Sequence, residues 1–207
     1  MNTSALRDYK AGLQMSHRQR QILDGLMLGD GHLERQRGAL VARLKIEHSI
    51  VQAAYVDWKF NEWRDWVRTP PRARPRRNRM GTESTNIGFA TLSHPQLEEF
   101  RSRFYRHGRK TVPMDLELTP LSLAVWFMDD GSRKSSQCRG LLLNTQSFNC
   151  HEVEFLRQTL RRDVDLETTV REQSDGLQIY LPASSVGRFI EYAGGQILPC
   201  MRYKLPG

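Results

Sequence analysis

Two short segments of this chain end alike. Residues 23–31 read LDGLMLGDG and residues 123–131 read LAVWFMDDG, so each is an apolar run closed by an acid and a glycine. The acids, Asp30 and Asp130, stand 100 residues apart in a chain of 207. A unit repeated at that interval constrains the chain to two similar halves, and the flanking segments recur in matching order. In the first half, Ser16-x-x-Gln19 has the capping-box pattern and precedes Ile22, Leu23, Leu26 and Met27, which predicts a helix stopping between Gly29 and Gly31. Residues 40–47 alternate Leu40, Ala42, Leu44 and Ile46 with Val41, Arg43, Lys45 and Glu47, the period of a half-buried strand with a mostly basic outer face. Ser49-x-x-Gln52 opens a helix expected to reach about residue 67, with Tyr55, Trp58, Trp63, Trp66 and Val67 as core. A strand over 86–91 and a helix from Ser93-x-x-Gln96 to about residue 105 complete this half.

The second half follows the same plan. Thr119 caps a helix with Pro120 at its first position, running through Leu123, Trp126 and Phe127 to Gly131. A strand over 140–145 precedes a helix from Asn149-x-x-Glu152 to about residue 162. Residues 165–171 and 177–181 read as a hairpin, and 183–193 as a last helix before a short tail. Each half is thus helix, two strands, helix, two strands, helix; the first strands, beside Gly31 and Gly131, are the least marked. The predicted class is α+β, with two pseudo-symmetric αββαββα halves. The expected division is 1–108, carrying a basic N-terminal segment and an arginine-rich ribbon, then a linker over 109–118, then 119–207.

Charge narrows the function. Lys and Arg number 31 against 23 acids, a net charge of +8, which favours a polyanionic partner, nucleic acid first. The charge is concentrated at residues 68–79, RTPPRARPRRNR, with six arginines, three prolines and no acid. Proline bars a helix there, leaving a loop or an edge ribbon. No apolar run is long enough to span a membrane, and residues 1–20 lack the apolar stretch of a secretory signal. Cys138, Cys150 and Cys200 are therefore expected as reduced thiols, without zinc-ligand spacing.

Asp30 and Asp130 are the candidate chemistry. An aspartate at a helix C-terminus faces the negative end of the macrodipole. One such residue could be a turn former; two at matching repeat positions suggest a divalent cation that takes carboxylate and helix-end carbonyl oxygens together. Gly25 and Gly29, four apart on the first helix, and Ala124 on the second would let the two backbones approach closely. Two carboxylates brought together around metal make a site for in-line phosphodiester hydrolysis.

These two segments resemble the paired motifs of the LAGLIDADG homing endonucleases, of the single-chain type with two motifs. The flanks LTPLSLAVWFMDDG, LLLNTQSF and YKLP extend the similarity over nearly the whole chain. The resemblance implies that the motif helices pack at the interface of the halves and that the sheets form a saddle over the major groove. It implies that Asp30 and Asp130 bind Mg²⁺, with Mn²⁺ able to substitute, and that each serves the cutting of one strand. The carbonyls of Gly29 and Asp129 are candidate further ligands, while the Asp129 side chain, at a motif position usually small, reads as structural. Lys110 and Lys204 match the lysines that relatives place beside each metal, 80 and 74 residues after the motif acids. There they would stabilise phosphoryl charge or orient the attacking water. Gln146 matches a glutamine that organises water in some relatives. His48 takes its place in the first half, open between holding water, contacting DNA and an ordinary surface role.

If the sheets enter the major groove, exposed strand residues reach base edges: Arg43 and Lys45 in one half, Gln178 and Tyr180 in the other. Arg72, Arg74, Arg76, Arg77 and Arg79 would add phosphate and groove contacts. Two unlike halves on one chain imply a monomer on an asymmetric double-stranded target of about 20 base pairs. The expected product is a staggered break, and the resemblance implies 3′ overhangs. The expected role is intron homing, in an organelle matrix or the bacterial cytoplasm and nucleoid. Two other readings are an RNA maturase acting on its own intron and a DNA-binding protein without catalysis. An intein role is not expected, since splicing residues do not flank the chain.

Overall fold

The computed structural model describes residues 4–77, 81 and 83–206. Helices α1 (Ser4–Gly12) and α2 (His17–Leu28) lead into strands β1 (His32–Glu34) and β2 (Arg43–Ser49). Then come α3 (Ala53–Glu62), β3 (Arg72–Arg77), β4 (Glu83–Ala90) and α4 (Pro95–Phe104). A short hairpin of β5 (Tyr105–Arg106) and β6 (Arg109–Lys110) precedes α5 (Pro120–Asp130), β7 (Gly131–Ser135) and β8 (Cys138–Asn144). The chain ends with α6 (Cys150–Val164), β9 (Thr169–Gln173), β10 (Gly176–Leu181), α7 (Ala183–Ala193) and two 3₁₀ turns, the last Pro199–Lys204. No helix is long and apolar enough to cross a membrane, among the described residues.

By contacts the chain divides into two compact units, Met1–Arg20 with Gly31–Ser102, and Gln21–Asp30 with Arg103–Gly207. The end of the first motif helix thus groups with the second repeat. The expected α+β class and repeat hold: the four-stranded antiparallel sheets have matching orders, β1-β2-β4-β3 and β7-β8-β10-β9.

In the first unit, Leu33, Leu44, Ile46 and Phe89 form the inner face of the sheet and are buried with Tyr55, Val56, Trp63 and Trp66. The helix expected over 49–67 is broken. Ile50–Gln52 and Arg64–Trp66 are 3₁₀ turns, and Ser49 makes no side-chain cap. Trp63 leaves helical geometry at φ −113°, ψ 15°. In a 3₁₀ turn residues three apart eclipse, so Trp63 and Trp66 both turn inward, ring edge to ring face at 5.6 Å. Helix α1 escaped the sequence reading because it buries no side chain. Polar contacts hold it: Tyr9 Oη donates to Asp65 O at 2.7 Å, and Lys10 O lies 3.1 Å from His94 Nε2.

In the second unit α5 is buried on every side from Leu121 to Asp129, as expected of a helix apolar all round. Phe127 meets Phe189 of α7 at 4.9 Å, and Leu141, Leu143, Ile179 and Leu181 form the inner sheet face. Both expected caps are present: Thr119 accepts from Ser122 N, and Asn149 with Glu152 forms a full capping box. The strand expected from residue 165 begins only at Thr169. Asp165 takes a left-handed conformation (φ 58°), and the Leu166 N–H reaches back to Leu160 O, a Schellman-type end that buries Leu166. The three cysteines are free thiols.

Candidate active site

The site begins with two close-packed helix ends, both within the second unit. A Cβ on Gly25 would sit 2.7 Å from Val125 Cβ and press on Ser122 O, and one on Gly29 would sit 2.8 Å from Asp129 Oδ2. Ser122, Val125 and Asp129 share one face of α5, so it is their row, not Ala124, that meets the glycines. Hydrogen as a side chain is what permits this approach.

The approach assembles the polar groups. The Asp30 backbone N–H donates to Asp129 Oδ2 at 3.1 Å, and a carboxylate oxygen of Asp30 lies within 4.8 Å of one of Asp129. Asp129 is buried, Asp130 half-buried and Asp30 exposed. Lys110, at the end of β6, donates to Gly29 O at 2.7 Å. Lys204, in the last 3₁₀ turn, donates to Met128 O at 2.6 Å and Asp129 O at 2.9 Å. Each lysine therefore caps the open carbonyls of one motif helix, where a cation is favoured by the macrodipole. The proposed carbonyl ligands, Gly29 and Asp129, are the same oxygens the lysines hold; a carbonyl has a second lone pair to offer.

Electrostatics bind the group together. Burial, reinforced by Asp30 and Asp129, raises the Asp130 carboxyl from 3.8 to about 7, against the pull of Lys110 and Lys204. Burial lowers Lys110, against the attraction of Asp130, Asp129 and Asp30. Three carboxylates and two helix-end carbonyls make an oxygen donor set of the kind that suits a hard divalent cation. The rise of Asp130 comes first from burial and then from the neighbouring carboxylates, and a bound cation would offset both by favouring the charged form. The residues fit a divalent metal ion.

Gln146 lies in the turn after β8, packed on Gly176, and no side-chain hydrogen bond joins it to the acids among the described residues. His48 is not a surface residue. It is 6% exposed on the inner face of its sheet, with Nε2 2.7 Å from Lys59 Nζ and its ring 5.5 Å from Tyr55. Lys59 is itself 0% exposed.

Register sorts the DNA-contact candidates. Directly opposed residues share a face. The pairs Glu34↔Arg43, Glu47↔Gly88, Arg72↔Gly88, Arg74↔Asn86 and Arg76↔Ser84 put Arg43, Lys45, Arg72, Arg74 and Arg76 on the outer face of the first sheet. Arg77 falls on the opposite side by alternation, its Nε donating to Gly81 O at 3.3 Å. Arg79 lies outside the described residues. Pro75 is tolerated because β3 is an edge strand. In the second sheet, Gln178 is paired with Asn144 and Arg171 on the outer face, and its Nε2 donates to Asn144 Oδ1 at 2.7 Å. Tyr180, on the same face, lies over Gly140, with Lys134 Nζ 5.0 Å from its ring centre. Asn86, Asn144 and Arg171 were missed by the sequence reading; strand alternation alone could have found Arg171.

Comparison with known proteins bears on this arrangement. Residues 20–189 match the LAGLIDADG DNA endonuclease family. The protein described as "Probable intron-encoded endonuclease 1" of Wickerhamomyces canadensis is 28% identical over 212 residues, covering 99% of this chain and 91% of the relative. The cytochrome b mRNA maturase bI2 of Debaryomyces hansenii is 26% identical, covering 89% of this chain and 72% of the relative. The solved structure of the homing endonuclease I-WcaI bound to its DNA recognition sequence superposes with a TM-score of 0.93 at 27% identity, covering 99% of this chain and 93% of that one. The match spans both motif helices and both sheets. With acids at both helix ends and the repeated sheet order beside them, the chain belongs to the LAGLIDADG DNA endonuclease family.

Proposed function

We propose that this protein is an intron-encoded, site-specific homing endonuclease, acting as a monomer on a long asymmetric duplex and leaving a staggered double-strand break. The observation that carries the reading is a lysine on the last carbonyls of each motif helix, beside its acid: Lys110 on Gly29 O, next to Asp30, and Lys204 on Met128 O and Asp129 O, next to Asp130. Pure binding needs neither pair. The acids would come one from each sequence half, 1–108 and 119–207, with Lys110 on the joining segment 109–118 and Lys204 in the second half.

Asp30 and Asp130 would hold Mg²⁺, with Gly29 O and Asp129 O as further donors. When bound, the cation supplies Lewis-acid activation and neutralises charge at the scissile phosphate. Lys110 and Lys204, already held by the helix-end carbonyls, place an ammonium where phosphoryl charge develops. Gln146 and His48 would orient water on the two sides, with unequal chemistry. Arg43, Lys45, Arg72, Arg74, Arg76, Gln178 and Tyr180 would contact DNA from the outer sheet faces; Arg77 would not, being turned to the other side, and Arg79 is proposed from its sequence context alone. The place of action is an organelle matrix or bacterial cytoplasm.

The test is cleavage of a randomised duplex library with Mg²⁺, followed by sequencing of the ends. Staggered ends at one long sequence are expected; no cutting of any duplex would end the reading. The match to a yeast mRNA maturase favours one second reading, assistance to group I intron splicing. Asp30→Asn would leave that activity intact while abolishing cleavage.

A further inference from the structure

The outer face of the first sheet carries an acid among its bases. The Glu47 carboxylate lies 2.7 Å from Arg76 Nη2 and 3.3 Å from Lys45 Nζ, and it accepts from Asn86 Nδ2 at 3.0 Å. Those donors come from three adjacent strands: Lys45 beside Glu47 on β2, Asn86 on β4 and Arg76 on β3. Beside them lies a groove of about 330 Å³, lined by Arg43, Lys45, Arg72, Arg74 and Asn86. Gly88, opposite both Glu47 and Arg72, keeps the groove floor flat, since a Cβ there would strike the Ile46 carbonyl and lie 3.0 Å from Glu47 Cα.

A face that only grips phosphate gains nothing from this carboxylate, which repels phosphate and cancels a neighbouring cation. The carboxylate is drawn into the face, its side chain 26% exposed, while Arg76 and Lys45 are 59% and 40% exposed and keep their outer N–H groups open to a duplex. Burial works to raise its carboxyl, yet hydrogen bonds from Asn86 and Lys45 hold it below the ordinary range, so it stays charged. Each donor keeps further N–H groups beyond the one given to Glu47: an ammonium has three, a guanidinium five, an amide two.

We propose that Glu47 is a specificity-determining positioning residue that fixes Lys45, Arg76 and Asn86 as one donor array, so that they read base edges in the major groove instead of seeking phosphates. This rests on the reading of the outer sheet face as the DNA surface. A carboxylate that orients cations and discounts their charge lowers affinity for every sequence, but least for the one whose acceptors match the array.

The test uses the full chain with metal chelated, so that nothing is cut. Fluorescence anisotropy measures affinity for the selected target duplex and a scrambled duplex over a NaCl series. In Glu47→Gln, the ratio of target to scrambled affinity is expected to fall at least tenfold, mainly through tighter scrambled binding. The salt slope on scrambled DNA should steepen by roughly 0.9 for each freed cation. Arg76→Ala should cost less discrimination in the Glu47→Gln background than in the parent, a coupling that a purely structural role would not produce. An unchanged ratio, with both affinities rising equally or neither moving, overturns the proposal. So does a loss confined to one base pair, which would make Glu47 a direct reader. Arg74→Ala separates the two levels. If it leaves affinity and salt slope unaltered, the DNA-surface reading itself fails; if it weakens binding while Glu47→Gln keeps discrimination, only the positioning role fails.

Discussion

Asp129 accepts a hydrogen bond from the backbone N–H of Asp30, with 3.1 Å between that nitrogen and Oδ2. The contact ties the end of one motif helix to the other and gives Asp129 a structural task distinct from that of its neighbour Asp130. Asp129→Ala should cost about 1–3 kcal/mol in urea denaturation, the penalty for a buried polar group left without its partner. Asp129→Asn keeps an acceptor oxygen and should cost less. A loss in the asparagine variant as large as in the alanine variant would assign the effect to charge instead.

Asp30→Asn and Asp130→Asn should each abolish double-strand cleavage while target binding, read by gel shift, stays within a few-fold of the parent. Binding is expected to survive because the donors on the sheet faces are untouched. Loss of binding in step with cleavage would mean that the acids act through folding.

The raised Asp130 carboxyl has a thermodynamic signature in metal-free protein. Its pKa is about 7 when folded against 3.8 as the ordinary value, so between those limits the folded state binds the extra proton. Stability should therefore fall as pH rises from about 4 to about 7, by at most about 1.4 kcal/mol per pH unit, and level off above. Asp130→Asn should remove this slope and be the more stable protein in EDTA at neutral pH. Mg²⁺ should raise the melting temperature of the parent more than that of the variant. Equal Mg²⁺ shifts would dissociate Asp130 from the cation.

The lysines should act separately. Lys110→Met and Lys204→Met are each expected to slow one strand by about 10²-fold, the usual cost of losing one donor to developing charge. Nicked circles cut in opposite strands should accumulate in plasmid digests of the two variants. Equal slowing of both strands by either variant would contradict the assignment of one lysine to each cut.

Glycine positions give a packing test. Gly29→Val must displace Asp129 and should cost about 1–3 kcal/mol as overpacking, together with cleavage. Gly187→Ala, on α7 with nothing within 4 Å of a new Cβ, should instead stabilise by about 0.5–1 kcal/mol. Thermal melts of the two variants distinguish a general glycine effect from the specific contact.

Much of this molecule is written locally. Ser16 with Gln19 and Asn149 with Glu152 form reciprocal caps, because a cap needs only residues three apart. Alternation over residues 43–47 was legible because the side-chain period of a strand is two, and the acid-glycine repeat announced two equivalent helix ends. Ser93 shows the limit of such patterns. The Gln96 N–H is accepted by His94 Nδ1 and not by Ser93, whose Oγ accepts from Lys10 Nζ at 3.4 Å, while the His94 ring packs on Trp66 at 4.9 Å.

What lay beyond the sequence depends on partners distant along the chain. Gly25 and Gly29 indicated close packing, but only the fold selects Ser122, Val125 and Asp129 over Ala124 as the row they meet. His48 carries no local mark of burial; it turns inward because the register of β2 puts Leu44, Ile46 and His48 on the covered face and a buried lysine supplies its partner. The sequence by itself determined the element types, the repeat and the identity of the acids, since these follow from spacing and capping over a few residues. Only the tertiary structure decided which carboxylate bonds to which backbone and which lysine closes which helix, because those choices rest on burial and on hydrogen bonds between segments 75 to 99 residues apart.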